Sequence, residues 1–125
     1  VTWENFTREE FACKCGCGRN EIRDEFIDVM QEIRSAIGSA LIINSGYRCP
    51  DHPIEASKDE PGEHSEGTCA DVSCSHRLAF RLNKAASNHP KITVIGVQQK
   101  GGGRYLHLGI GPAKPGRPRP HLYSY

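Results

Sequence analysis

Between Asp24 and Ile37, the residues Phe26, Val29, Met30, Ile33 and Ile37 recur at i, i+3, i+4, i+7 and i+11, and Gly38 follows. That period winds one apolar stripe along a helix and predicts an α-helix over 24–37 that ends at the glycine. A helix that is apolar on one side only must lay that side on a second layer. The other apolar runs suit strands. "ALIINSGYR" (Ala40–Arg48) reads as a buried strand entering a turn at Ser45-Gly46, and "CADVSC" (Cys69–Cys74) as a short strand by alternation. "KITVIGVQ" and "RYLHLGI" read as two more, joined across Gly101–Gly103. A second helix is expected at about His76–Asn88, with Leu78, Leu82 and Ala85 as its inner face. Helices first and strands later predict an α+β domain with a small antiparallel sheet flanked by helices.

Smaller signals fill in the rest. "TREE" (Thr7–Glu10) has the form of a capping box that would present Phe6 and Phe11 to the core. Residues 49–68 are rich in proline, glycine and charge, which predicts a long surface loop. Residues 111–125 are expected to form an extended Pro/Gly-rich basic tail on a single domain spanning 1–125. There is no internal repeat, and no apolar run approaches the roughly 20 residues of a membrane span. Val1 is read as a terminus left by removal of an initiator methionine. No secretory leader is recognised, so a site of action outside a cell implies a route other than export.

The charges are divided along the chain. All fifteen acids lie at or before Asp71, among seven Lys or Arg, and the nine Lys or Arg after it have no acid among them. Either the two halves pack on each other, or the basic half meets a polyanion or an acidic partner. Any site built from both halves must take its carboxylates from the first 71 residues. The basic residues carry no nucleic-acid motif and few interleaved aromatics, so no nucleic-acid partner and no membrane insertion are expected.

Six cysteines are many for 125 residues. "CKCGCG" (Cys13–Gly18) is spaced more tightly than the pairs of a typical structural zinc site. Disulfides, for instance to Cys49, and buried free thiols both remain open.

The residues suited to holding a metal are His64 and Asp71, which flank a loop running into a strand, and His107, in mid-strand. Alternation places His107 on one face with Tyr105 and Gly109, and Leu106 and Leu108 on the other. Catalytic zinc takes imidazole and carboxylate donors, three from the protein. Read in order, "EFACKCGCG", "LIINSGYRCPDHP", "HSEGTCADV" and "RYLHLGI" resemble the M15 zinc peptidases, the D-Ala-D-Ala carboxypeptidase and dipeptidase group, especially its short phage-borne branch. The likeness runs from about Trp3 to the closing "HLYSY". It implies the Hedgehog/DD-peptidase fold, with zinc on His64, Asp71 and His107. It also implies that Arg48 of "SGYR" holds the substrate carboxylate or polarises its carbonyl, with Ser45 and Tyr47 beside it in substrate binding.

Three positions depart from the family pattern. Arg104 stands where members carry an acid three residues before the last histidine. Gly109 stands where many phage-type relatives carry aspartate, and Gly62 where serine is usual. Substitutes for the missing base are Glu63, Glu66, Asp59, Glu60, His76 and His121, with Glu66 ranked first. The expected activity is a phage-borne zinc peptidase acting on peptidoglycan stem peptides, located in a virion or in the host cytoplasm before release to the wall. The alternative is a catalytically impaired zinc-binding component that docks on other virion proteins.

Overall fold

The computed structural model describes residues 2–60 and 62–125, so the reading of Val1 as a processed terminus lies outside the described residues. Near the N-terminus the Thr7 N–H donates to the Glu10 carboxylate at 2.7 Å, starting a 3-10 turn over Arg8–Phe11 that buries Phe11. Helix α1 (Asp24–Ile37) follows, and its whole apolar stripe is buried. Next come strand β1 (Ile42–Ser45), short helices α2 (Pro53–Ala56) and α3 (Glu63–Glu66), and strand β2 (Cys69–Ser73). Helix α4 (His76–Asn88) leads into strands β3 (Val94–Gln98), β4 (Tyr105–Gly109) and β5 (His121–Ser124).

The five strands form one sheet in the order β1-β2-β4-β3-β5. The three inner pairings are antiparallel, whereas β5 joins β3 in parallel. The α+β class therefore holds, with one parallel edge added to the antiparallel sheet. Ala70 and Val72 of β2, Leu106 and Leu108 of β4, and Ile95 of β3 join α1 and α4 in a single core. On α4 the buried residues are Ala79, Leu82 and Ala86, with Leu78 and Ala85 only flanking the core, so the helix sits slightly rotated from the expected inner face.

Two segments are more ordered than composition suggested. The 49–68 loop contains α2 and α3, tied together because the buried Glu55 carboxylate accepts from the Gly62 N–H at 2.7 Å and from Lys58 at 3.0 Å. The basic tail folds back, and its last residues pair with β3 as β5. Its cations meet the acidic half directly: Arg117 and Lys114 pair with Glu66, and Arg119 pairs with Glu63. The divided charge is thus used within the chain.

Candidate metal centre and its cleft

The sheet face turned away from the core carries the site. Strand register sets Ser45, Asp71, His107, Gly96 and Tyr123 side by side in one row across β1, β2, β4, β3 and β5. Asp71 and His107 are direct cross-strand partners, so their side chains meet without any loop to position them. His64 enters from α3, next to the row. Its Nδ1 lies 2.7 Å from the Gly46 carbonyl oxygen, which can only accept, so Nδ1 carries the proton and Nε2 is left as a free donor.

Three donor atoms converge. Asp71 Oδ1 is 3.5 Å from His64 Nε2 and 2.9 Å from His107 Nδ1, and all three residues are buried. Donors about 2.0–2.2 Å from a tetrahedral zinc stand roughly 3.4 Å apart. The two Asp71 separations lie on either side of that value, so this imidazole and carboxylate set is chemically suited to a metal ion such as zinc. Burial acts to raise the Asp71 carboxyl, but the hydrogen bond with His107 and the closeness of both imidazoles outweigh it and hold the group well below the usual carboxylate range. The Cys69 sulfur also lies within 4.8 Å of ring nitrogens of both histidines. Burial pushes its thiol up, and Cys69 and Asp71 are both placed to complete a donor set with the two histidines.

A family model described as Peptidase M15 matches residues 4–108. The chain belongs to the M15 peptidase family. No curated protein matches it. The M15 match ends before the tail, yet the tail supplies part of the wall of the cleft beside the metal donors.

That cleft, about 260 Å³, is lined by His64, His107, Arg48, Glu63, Arg119 and Tyr123, among others. Arg48 is buried, 3.5 Å from Glu55, and its Nε has no hydrogen-bond partner among the described residues. The Nε–Glu55 contact is an ion pair without a hydrogen bond, and a guanidinium so loosely held suits a ligand carboxylate. Ser45 lies in the row beside Asp71 but does not line the cleft. Tyr47 is turned into the core, 2 % exposed, with its hydroxyl donating to Glu21 at 2.8 Å. Burial, followed by that bond, pushes the phenol up to about 12. It braces the SGYR segment and does not reach a substrate.

Among the departures from the M15 pattern, Arg104 donates to the Gly101 carbonyl at 2.8 Å and lines a separate hollow with His76. It does not face the metal donors. Glu66, ranked first as base on sequence, is held at 2.6 Å by Arg117 and 3.0 Å by Lys114 and does not line the cleft. Glu63 does line it. Its Oε1 pairs with Arg119, and its Oε2 is buried without a hydrogen-bond partner among the described residues. A side chain built at Gly109 would run into that same Oε2. The space that a side chain at Gly109 on β4 would occupy is thus filled by a carboxylate from α3. Asp59 and Glu60 are exposed, and His121 is exposed and stacked on Tyr123.

Arg119, Tyr123, Tyr125 and Cys69 escaped the sequence reading. The alternation His121, Tyr123, Tyr125 was the available signal, since it gives one aromatic face to an edge strand. Gly96 makes room for it: a Cβ there would lie 2.5–2.8 Å from the Tyr123 ring. Burial pushes the phenols of Tyr123 and Tyr125 up, so both remain protonated donors at neutral pH.

Proposed function

We propose that this M15 chain is a zinc peptidase that trims peptidoglycan stem peptides at a terminal D-alanine, in the setting of a phage that delivers it to the bacterial wall. The observation that carries the substrate class is Arg48, a buried guanidinium in the same cleft as His64 and His107, whose Nε faces Glu55 at 3.5 Å without forming a hydrogen bond. Arg48, Lys58, Arg117 and Arg119 line the cleft against a single lining acid, Glu63, and although each is paired with Glu55, Glu66 or Glu63 this excess favours a peptide ending in a carboxylate. Val94 adds a small apolar wall against which a methyl side chain can pack.

His64, Asp71 and His107 would hold zinc, which when bound supplies Lewis acidity and lowers the pKa of water at the site. Arg48 binds and orients the terminal carboxylate. Glu63 Oε2, buried beside His64, accepts the proton. Tyr123 Oη stays protonated and donates a hydrogen bond on the opposite side of the cleft.

A second reading has one specific observation behind it. Arg119 already pairs with Glu63 and so occupies the carboxylate that would have to take a proton. In that reading the domain is a metal-stabilised docking component of a virion. Incubating the zinc-loaded protein with a peptide ending in D-Ala-D-Ala, or with purified peptidoglycan, separates the two. Released D-alanine or new amines, reduced about 10²–10⁴-fold in Glu63→Gln with the metal retained, supports the peptidase. No product from metal-loaded protein leaves the docking reading.

A further inference from the structure

A second cluster of ligand-type side chains lies apart from the cleft. Cys13, Cys15, Cys17 and Cys49 each place a sulfur within 4.8 Å of the other three. All four are free thiols, with Cys13 to Cys15 at 3.4 Å and Cys15 to Cys49 at 3.5 Å. A disulfide would bring one pair to about 2.05 Å. Four sulfurs about 2.3 Å from one tetrahedral ion would stand roughly 3.8 Å apart. The observed separations match the second arrangement, and four mutually close sulfurs leave room for one ion among them.

The backbone is shaped for the same purpose. Gly16 and Gly18 take φ of +93° and +74°, so the chain turns after Cys15 and again after Cys17, folding three sulfurs to one side. The loop is closed by the Cys13 N–H donating to the Arg19 carbonyl at 3.1 Å. Two backbone amides point at sulfur: Arg19 N–H to Cys17 Sγ at 3.3 Å and Cys49 N–H to Cys13 Sγ at 3.3 Å. The spacing that argued against a zinc site in the sequence counts only local pairs; the fourth ligand arrives from the far end of the β1 turn, which a spacing rule cannot see.

We propose that Cys13, Cys15, Cys17 and Cys49 form a structural tetrathiolate site for one zinc ion, separate from the His64–Asp71–His107 centre. Tetrahedral sulfur-only coordination with no open position is a structural arrangement and not a catalytic one. Cys49 follows Arg48 directly, so the ion would pin the cleft arginine's backbone to the N-terminal loop. That loop also reaches β1 through Lys14, whose ammonium donates to the Asn44 carbonyl at 2.8 Å.

The test is metal content per chain in protein purified under reducing conditions with zinc supplied, using Cys15→Ser/Cys17→Ser, whose two positions are exposed and tolerate the change, and His64→Ala/His107→Ala. Two zinc ions in the parent and one in each double variant are expected. In cobalt-substituted protein, intense sulfur-to-metal charge-transfer absorption should persist in the histidine variant and vanish in the cysteine variant. Equal zinc content in the parent and the Cys15→Ser/Cys17→Ser variant overturns the proposal, as does a disulfide among these four cysteines in the intact mass. Loss of metal from the histidine variant alone bears on the cleft and leaves this site standing.

Discussion

Replacing Gly109 with aspartate introduces a second carboxyl beside Glu63, and the structure makes that change destabilising. A Cβ at position 109 would lie 2.8 Å from Val94 Cγ1 and 3.1 Å from Cys69 Cβ, and it would collide with Glu63 Oε2. Forcing atoms into such a packed position costs about 1–3 kcal/mol. The new carboxyl would also sit against Glu63, whose partner Arg119 cannot pair fully with two acids, adding about 1–3 kcal/mol for a poorly satisfied polar group. We expect Gly109→Asp to lose about 2–5 kcal/mol, a large part of the stability of a domain this size. With a urea m-value of about 1–3 kcal/mol/M, the unfolding midpoint should fall by roughly 1–3 M. Removing the obstacle should relieve the cost. In a double-mutant cycle with Glu63→Ala, the two changes should couple favourably by about 1 kcal/mol or more. Gly109→Asp within about 0.5 kcal/mol of the parent, or no coupling, would show that Glu63 does not fill that space.

Arg119→Ala strands the buried Glu63 carboxylate and should cost about 3–5 kcal/mol by chemical denaturation, with Glu63→Gln/Arg119→Ala milder than Arg119→Ala alone. The Glu66 carboxyl is held below its ordinary range chiefly by the hydrogen bond from Arg117, then by Lys114. Its contribution is therefore full above about pH 4.3 and lost as pH falls through the lowered folded value. Glu66→Gln should be less stable than the parent at pH 7, with the gap closing toward pH 3 in melts across pH. Chelator should lower the melting temperature of metal-loaded parent protein, and by less in His64→Ala/His107→Ala, which keeps only the thiolate site.

Much of this architecture was legible along the chain. The stripe from Phe26 to Ile37 specified α1 because a helical period is a local property that any apolar surface can read. Alternation around His107 separated its cleft-facing side from the leucines behind it, again from geometry internal to one strand. With the M15 motifs in view, His64, Asp71, His107 and Arg48 could all be named, and the structure gathers them. Which of the two acids flanking His64 lines the cleft was not legible. Glu63 and Glu66 share one short helix and one local composition, and only the returning tail distinguishes them: Arg117 and Lys114 take Glu66, while Glu63 turns toward Gly109.

The sequence by itself determined which segments would be helix or strand, where the apolar faces lay, and which side chains had the chemistry to grip a metal. Tertiary structure alone decided that a tail read as loose would become the edge strand closing the cleft. It also brought Cys49 to three cysteines more than thirty residues away. The physical reason is that periodicity and donor chemistry belong to neighbouring residues, whereas pairing partners are selected by competition among distant segments for the same space. Ion pairs, parallel strand addition and ligand clusters of this kind arise only once the core has brought those segments together.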